Sequence, residues 1–183
     1  SIGVNINTEG HEATIGLSPD GQELFIYKDD NGDGNIYMSK LIGSEWSKPE
    51  KLGGEINTGS WETHATISAD GQNLFLVSNR TGSLGGRDIY KVSKLPDGTW
   101  GKAENLGSTI NTAFDEEAPF FAADGKTLIF SSQGHNSMGG FDIFTSENID
   151  GVWSTPVNIG YPINSPEDDV FFVTTLDGHY AYY

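Results

Sequence analysis

Three groups of side chains have the types and spacing to do chemistry. The first is the run Asp29-Asp30-Asn31-Gly32-Asp33-Gly34-Asn35-Ile36. A calcium loop needs oxygen ligands at alternate positions, a glycine for the sharp turn and a backbone carbonyl at the seventh position. Asp29, Asn31 and Asp33 would supply the alternate oxygens, Gly34 the turn and Asn35 the carbonyl, which makes calcium the one candidate cofactor of this chain. The twelfth position, where a bidentate glutamate would close the loop, holds Lys40. Without an ion the same residues read as an acidic hairpin loop built on Asx turns.

The second group is a set of polar residues, Glu12, His64, Glu117 and Asp169, each directly before Ala13, Ala65, Ala118 or Val170. One step earlier lie His11, Thr63, Glu116 and Asp168. Arranged about a common axis, these side chains would ring one mouth of a channel. Such a ring would hold a cation or a basic peptide segment and, through His64, respond to pH. The competing reading is architectural: the polar groups bond the backbone where one unit hands over to the next. Recurrence in every unit favours that second role.

The third group is Arg80 and Arg87, the only arginines, at the two ends of the loop Asn79–Arg87; the corresponding loop Gln133–Phe141 carries His135 and Met138. Loops on rigid scaffolds are where recognition usually sits. The favoured reading is nevertheless a loop that turns the chain, with Arg87 a solvated charge. Enzyme chemistry has little to stand on. Carboxylates are abundant, but no pair stands out as unique to one unit, as the acid and base of a glycosidase would, about 5–9.5 Å apart. There is no G-x-S-x-G elbow and no H-E-x-x-H helix.

The elements that must position these groups repeat. Ile-Asn-Thr/Ser recurs at Ile6–Thr8, Ile56–Thr58, Ile110–Thr112 and Ile163–Ser165, and an Asp-Gly turn follows each at Asp20, Asp70, Asp124 and Asp177. The steps Asn7 to Asn57, Asn57 to Asn111 and Asn111 to Asn164 are 50, 54 and 53 residues, and the aspartates keep the same steps. A period near fifty residues falls in the range of propeller blades. In the second unit Thr66–Ala69, Leu74–Val77, Asp88–Val92 and the segment from Trp100 to Leu106-Gly107 read as four short strands separated by Gly, Asn, Asp and Ser. Asp-Gly supplies the positive φ of a tight hairpin. Trp46, Trp100 and Trp153 occupy one repeat position and read as packing between blades. Trp61 falls outside that position, as a cap on the core or an exposed anchor.

The expectation is an all-β propeller of four-stranded antiparallel blades, with 1–183 a single propeller segment. Its repeats run approximately 6–55, 56–109 and 110–162, with a partial one at 163–183. Ser1–Asn7 resembles Asn158–Asn164 and Tyr180–Tyr183 matches a second strand. The chain therefore reads as part of a larger propeller whose open blade edges invite self-association. Less favoured is a four-bladed ring closed by the N-terminal strand.

The strings SPDGQELFIY, SADGQNLFLVSNR and AADGKTLIFSSQG, with GGRDIY and GGFDIF, resemble the WD-like repeats of TolB-type periplasmic propellers. They are also similar to the propellers beside outer-membrane-protein-A-like domains of Bacteroidetes. The resemblance covers nearly the whole chain, although the first repeat carries the shorter loop Gly32-Asp33-Gly34-Asn35. It implies a periplasmic or outer-membrane-associated location and a non-catalytic role in protein assembly.

Composition narrows the partners. A net charge of −16 with ten Lys and Arg leaves no basic stripe for nucleic acid. There is no cysteine, hence no disulfide or thiolate site, and no apolar run long enough to span a membrane. The expected function is a non-catalytic binding or scaffolding module of the bacterial cell envelope. It would present its loops and channel mouth to a protein or glycan partner. The alternative is a propeller glycoside hydrolase or lyase using channel-facing carboxylates; a third reading is a spacer with calcium-stiffened loops.

Overall fold

A computed structural model describes residues 3–8, 10–30 and 32–183. The first blade contains β1 (Glu12–Leu17), β2 (Glu23–Asp30), β3 (Asp33–Ile42), β4 (Glu45–Trp46) and β5 (Glu50–Lys51). The second contains β6 (Glu62–Ile67), β7 (Asn73–Ser78), β8 (Asp88–Lys94) and β9 (Trp100–Asn105). The third contains β10 (Glu116–Phe121), β11 (Thr127–Ser132), β12 (Asp142–Ile149), β13 (Val152–Trp153) and β14 (Val157–Asn158). All pairings are antiparallel and run in sequence order within each blade. The chain is an all-β propeller, as its repeats predict.

Two short strands, β15 (Val173–Thr174) and β16 (Ala181–Tyr182), pair with each other around the Asp177-Gly178 turn. Among the described residues no third strand joins them. Ser1 and Ile2, on which the ring-closure expectation depends, lie outside those residues.

Alternation along the strands explains the core. Successive side chains of a strand point to opposite faces, and both faces of a blade are covered, so the central strands are apolar throughout. Leu74 and Leu76 of β7 pack against Phe25 and Ile36 of the first blade. Phe75 and Val77 point the other way, to Leu128, Phe130 and Phe144 of the third. Trp46, Trp100 and Trp153 each lie against one of three such clusters, the inter-blade role read from their spacing.

Proline divides the fourth strand in two of the blades. Pro49 and Pro156 have no N–H to give the ladder, and there the outer strand is broken into β4 and β5, and into β13 and β14. The Ser47 and Ser154 hydroxyls accept the Lys40 and Glu147 N–H groups, at 3.0 Å each. The second blade has Ala103 in place of proline, paired directly with Val92, and β9 runs unbroken.

The Ile-Asn-Thr signature fastens each blade to the next. The tripeptide sits in a tight turn whose N–H groups return to a glycine carbonyl, as Ile110 and Asn111 do to Gly107. The isoleucine enters the core; Ile6, Ile56 and Ile110 are all buried. The Asn111 carboxamide then completes the edge of the blade just finished. It accepts the Ile89 N–H (2.8 Å) and donates to the Ile89 carbonyl (2.9 Å) and to Asn105 Oδ1 (2.9 Å). Asn57 does the same for Ile36, and Asn164 for Ile143. A primary amide has the donor and acceptor of a peptide group, so one side chain replaces one residue of a missing strand.

Removing that amide strands the buried Ile89 N–H, while the Ile89 carbonyl keeps the Leu106 N–H at 3.1 Å. Asn111→Ala should lower the unfolding free energy by about 2 kcal/mol, read as the shift in a urea denaturation midpoint. A loss below roughly 1 kcal/mol would show that water replaces the amide without penalty.

Candidate functional site

The acid five residues after each clasp asparagine is the next fixed point. Thr58 donates its N–H (3.0 Å) and hydroxyl (2.8 Å) to Glu62, and Thr112 does the same to Glu116 at 2.9 and 2.7 Å. Ser78 and Ser132 add a third donor to each carboxylate. Thr8 serves Glu12 in the same way, and Ser165 gives its N–H to Asp169. The repeated acids are therefore Glu12, Glu62, Glu116 and Asp169, and their role is architectural.

The expected ring of Glu12, His64, Glu117 and Asp169 accordingly divides into two kinds of position. Glu12 and Asp169 belong to the clasp. His64 and Glu117 lie beyond it on β6 and β10 and meet across the two blades, with Nδ1 2.7 Å from the Glu117 carboxylate.

Glu117 also accepts the Thr63 hydroxyl (3.0 Å) and Arg87 Nη1 (2.7 Å). Arg87 spans to Asp115 as well, through Nη2 at 2.7 Å and its own backbone N–H at 2.8 Å. The expectation of a solvated Arg87 is thus corrected: two carboxylates of the next blade hold it. Arg80 is bound more deeply still. Its guanidinium reaches the Ile56 carbonyl (2.7 Å) and Glu62 (3.2 Å) and lies 5.0 Å over the Tyr90 ring. In the third blade His135 does the corresponding work, with Nε2 2.9 Å from the Ile110 carbonyl.

Arg87 belongs to the Gly-Gly-x-Asp loops, whose glycines are needed for contact rather than turning. A Cβ on Gly86 would stand 2.0 Å from Asp115 Oδ1, and one on Gly140 2.0 Å from Asp168 Oδ1. The first blade lacks the long loop, and the position of Asp115 and Asp168 is there filled by Trp61. Its indole lies over Gly34, where a Cβ would come within 2.2 Å of the ring. Nε1 donates to the Tyr27 hydroxyl (3.1 Å), and the Trp61 N–H donates to Asn79 Oδ1 (2.9 Å).

This substitution opens a cavity of about 470 Å³ between the first two blades, at the end of β6 that faces the Gly-Gly loops. Ala13, Ile15, Tyr27 and Trp61 form its apolar wall, and His64 and Arg87 its polar one. Trp61 remains 45% exposed. His64 packs edge-on to Phe171 at 5.1 Å, which joins the fourth unit to the same mouth. The arrangement suits recognition: an aromatic ledge with fixed hydrogen-bonding groups beside it.

The Asp29 loop is a tight hairpin. Asp29 pairs with Gly34 and Asp30 with Asp33 across β2 and β3, so Asp29 and Asp33 point to opposite faces of the pleat. Asp29 Oδ1 accepts the Gly32 N–H at 3.0 Å. Asp30 accepts the Tyr37 hydroxyl, and burial first and this bond second push the Tyr37 phenol up to about 12. Asn35 is fully buried at the position of Asp88 and Asp142. Asn31 lies outside the described residues. Among the described residues no three His, Asp or Glu side chains gather as a metal site.

The fold has known counterparts. No family model matches the chain, and no curated protein matches it significantly. Among solved structures, TolB from Acinetobacter baumannii superposes with a TM-score of 0.66 at 16% identity, over 95% of this chain. A protein assigned as TolB from Agrobacterium tumefaciens gives 0.59 at 20% identity over 96%. The periplasmic gluconolactonase of Pseudomonas aeruginosa gives 0.54 at 14% identity over 92%. This chain spans 37%, 59% and 49% of those three chains. It has the TolB-like β-propeller fold, and at these identities the likeness concerns the fold alone.

The clasp acids make a pH prediction. Burial raises the Glu116 carboxyl to about 6, outweighing the Thr112 and Ser132 hydrogen bonds, and the Asp88 charge adds to the rise. A raised folded-state value means that this contribution to stability is complete below about 4.5 and is lost as pH rises through 6. Asp20, Asp70 and Asp124, held low by their turn hydrogen bonds, act in the opposite sense. The difference between wild type and Glu116→Gln isolates the group. Wild type should lose about 2 kcal/mol relative to the variant between pH 4.5 and 7. A flat difference across that window would contradict the shift.

Proposed function

We propose that this chain is a non-catalytic binding module of the bacterial cell envelope, and that its mouth on the Gly-Gly loop side receives a segment of a protein partner. The observation that carries this reading is the Trp61 cavity, placed where the repeat is broken, on the same side of the propeller as the exposed apolar residues of the Gly-Gly loops. Leu84 and Met138, at matching places in the two long loops, are 52% exposed each, and Phe114 is 59% exposed. Leu84 and Phe114 flank the lining residues Gly86 and Asp115 in sequence, and exposed apolar residues beside a preformed pocket mark an interaction surface more than scattered ones do.

The chemistry of the mouth supports binding over catalysis. Asp115 and Glu117, the nearest carboxylates, are held by Arg87 and His64, a state suited to fixing shape. Envelope location rests on the TolB-like fold and on the resemblance of the repeats to periplasmic propellers. Calcium at the Asp29 loop stays a separate proposal, tested by whether chelation lowers the melting temperature.

A photo-crosslinking residue at position 114 or 84 tests the proposal in the cells that make the protein. Discrete protein adducts should form there, and a probe at Thr99, on the opposite turn of the second blade, should give none. Replacing Trp61 with alanine should abolish the adducts while the purified protein keeps its melting temperature within a few degrees. Adducts equal at all three positions would overturn the assignment of the mouth. So would a glycosidase or lactonase activity lost on Glu117→Gln.

A further inference from the structure

A second cleft, at the other end of the same strands, breaks the repeat in a different way. It lies between the second and third blades beside the Asp-Gly turns, with a volume of about 540 Å³. Phe121 and Trp153 form its wall on the third blade, against Phe75 of the second. Phe75 and Phe121 are stacked at 4.6 Å, and Trp153 stands edge-on to both at 6.4 and 6.5 Å. Phe121 takes the place that Ile67 holds one blade earlier, each being the last residue of its first strand. The corresponding cleft between the first and second blades is lined by Gln22, Lys40, Ile67 and Lys94, with no aromatic side chain among its lining residues.

Across from Trp153 the second blade adds polar groups. Lys91, the cross-strand neighbour of Phe75, and its own partner Glu104 on β9 both line the cleft, and Asn148 stands beside Trp153 on the third blade. No ion pair joins Lys91 to Glu104 among the described residues. Aromatic rings with hydrogen-bonding groups beside and across from them match the two-sided chemistry of a pyranose ring. Such a ring has a C–H face that packs on the aromatic quadrupole and a rim of hydroxyls that needs donors and acceptors. Charge narrows the class. Asp70 and Glu104 outnumber Lys91 in the cleft, and the whole chain carries −16, so an anionic sugar is repelled.

We propose that this cleft binds a neutral oligosaccharide, with one sugar ring against Trp153 and Phe121 and its hydroxyls on Lys91, Glu104 and Asn148. The site is independent of the mouth at Trp61, and either can fail without the other.

Four tryptophans give four indole signals in an amide correlation spectrum, so the site can be read residue by residue. Three neutral tetrasaccharides would be titrated: cellotetraose, chitotetraose and maltotetraose. Tetragalacturonate serves as the anionic control. At least one neutral sugar should shift the Trp153 indole signal with a Kd of roughly 0.1–1 mM, leaving Trp46 and Trp61 unmoved. Trp153→Leu should weaken binding at least tenfold; because that residue also packs on the core, the surface change Glu104→Ala provides a second test, expected to weaken it three- to tenfold. Failure of all three sugars to move Trp153 would overturn the proposal, as would a response centred on Trp61. Equal binding of tetragalacturonate, or full affinity in Glu104→Ala, would overturn it as well.

Discussion

The structure depends on a side-chain amide standing in for backbone. At each hand-over an asparagine gives its carbonyl to a buried isoleucine N–H and its N–H2 group to the same isoleucine's carbonyl, at 2.7–2.9 Å in all three junctions. Those isoleucines lie on the third strand of the blade just completed, and Ile36, Ile89 and Ile143 are all buried. An unpaired amide there would cost as much as a lost hydrogen bond or more. The asparagine is thus both the closure of one sheet and the anchor from which the chain enters the next.

Everything that follows the anchor is placed by it. The threonine next in sequence ties to an acid four residues on, and that acid starts the innermost strand. The residue before the acid meets the Gly-Gly loop of the previous blade. When it is aspartate, the loop closes down on it so tightly that no Cβ fits. When it is Trp61, the loop is short, the indole covers Gly34, and a cavity remains. Function is therefore proposed where a rigid repeat admits a different residue at one of its contact points. The second cleft follows the same logic, with Phe121 in the place of isoleucine.

The repeat, the strands and the inter-blade tryptophans were legible in the sequence because periodicity in type and spacing is a direct consequence of stacking like units. The site was only partly legible. Trp61 stood out because it left the tryptophan position, but Tyr27, Asn79 and Asp115 carried no mark of their own. The polar ring was misaligned for a specific reason. Each first strand contains a bulge, between Thr14 and Gly16, Glu62 and Ala65, and Glu117 and Phe120. Small residues tolerate either side of a bulge, so Ala13, Ala65 and Ala118 are not equivalent. Counting five residues forward from each clasp asparagine finds Glu12, Glu62, Glu116 and Asp169 without error. Arg87 misled for another reason, since its two partners lie 28 and 30 residues further on, at Asp115 and Glu117, and only the fold brings them near.

Native-state hydrogen exchange of the Ile36, Ile89 and Ile143 amides tests the central claim most directly. If the asparagine clasp closes each blade, these three N–H groups, bonded only to a side chain, should exchange as slowly as the central-strand amides of Leu76 and Phe130, through global unfolding. Exchange at the rate of the exposed Asp-Gly turns would mean that the clasp opens locally and that the blades are held by apolar packing alone.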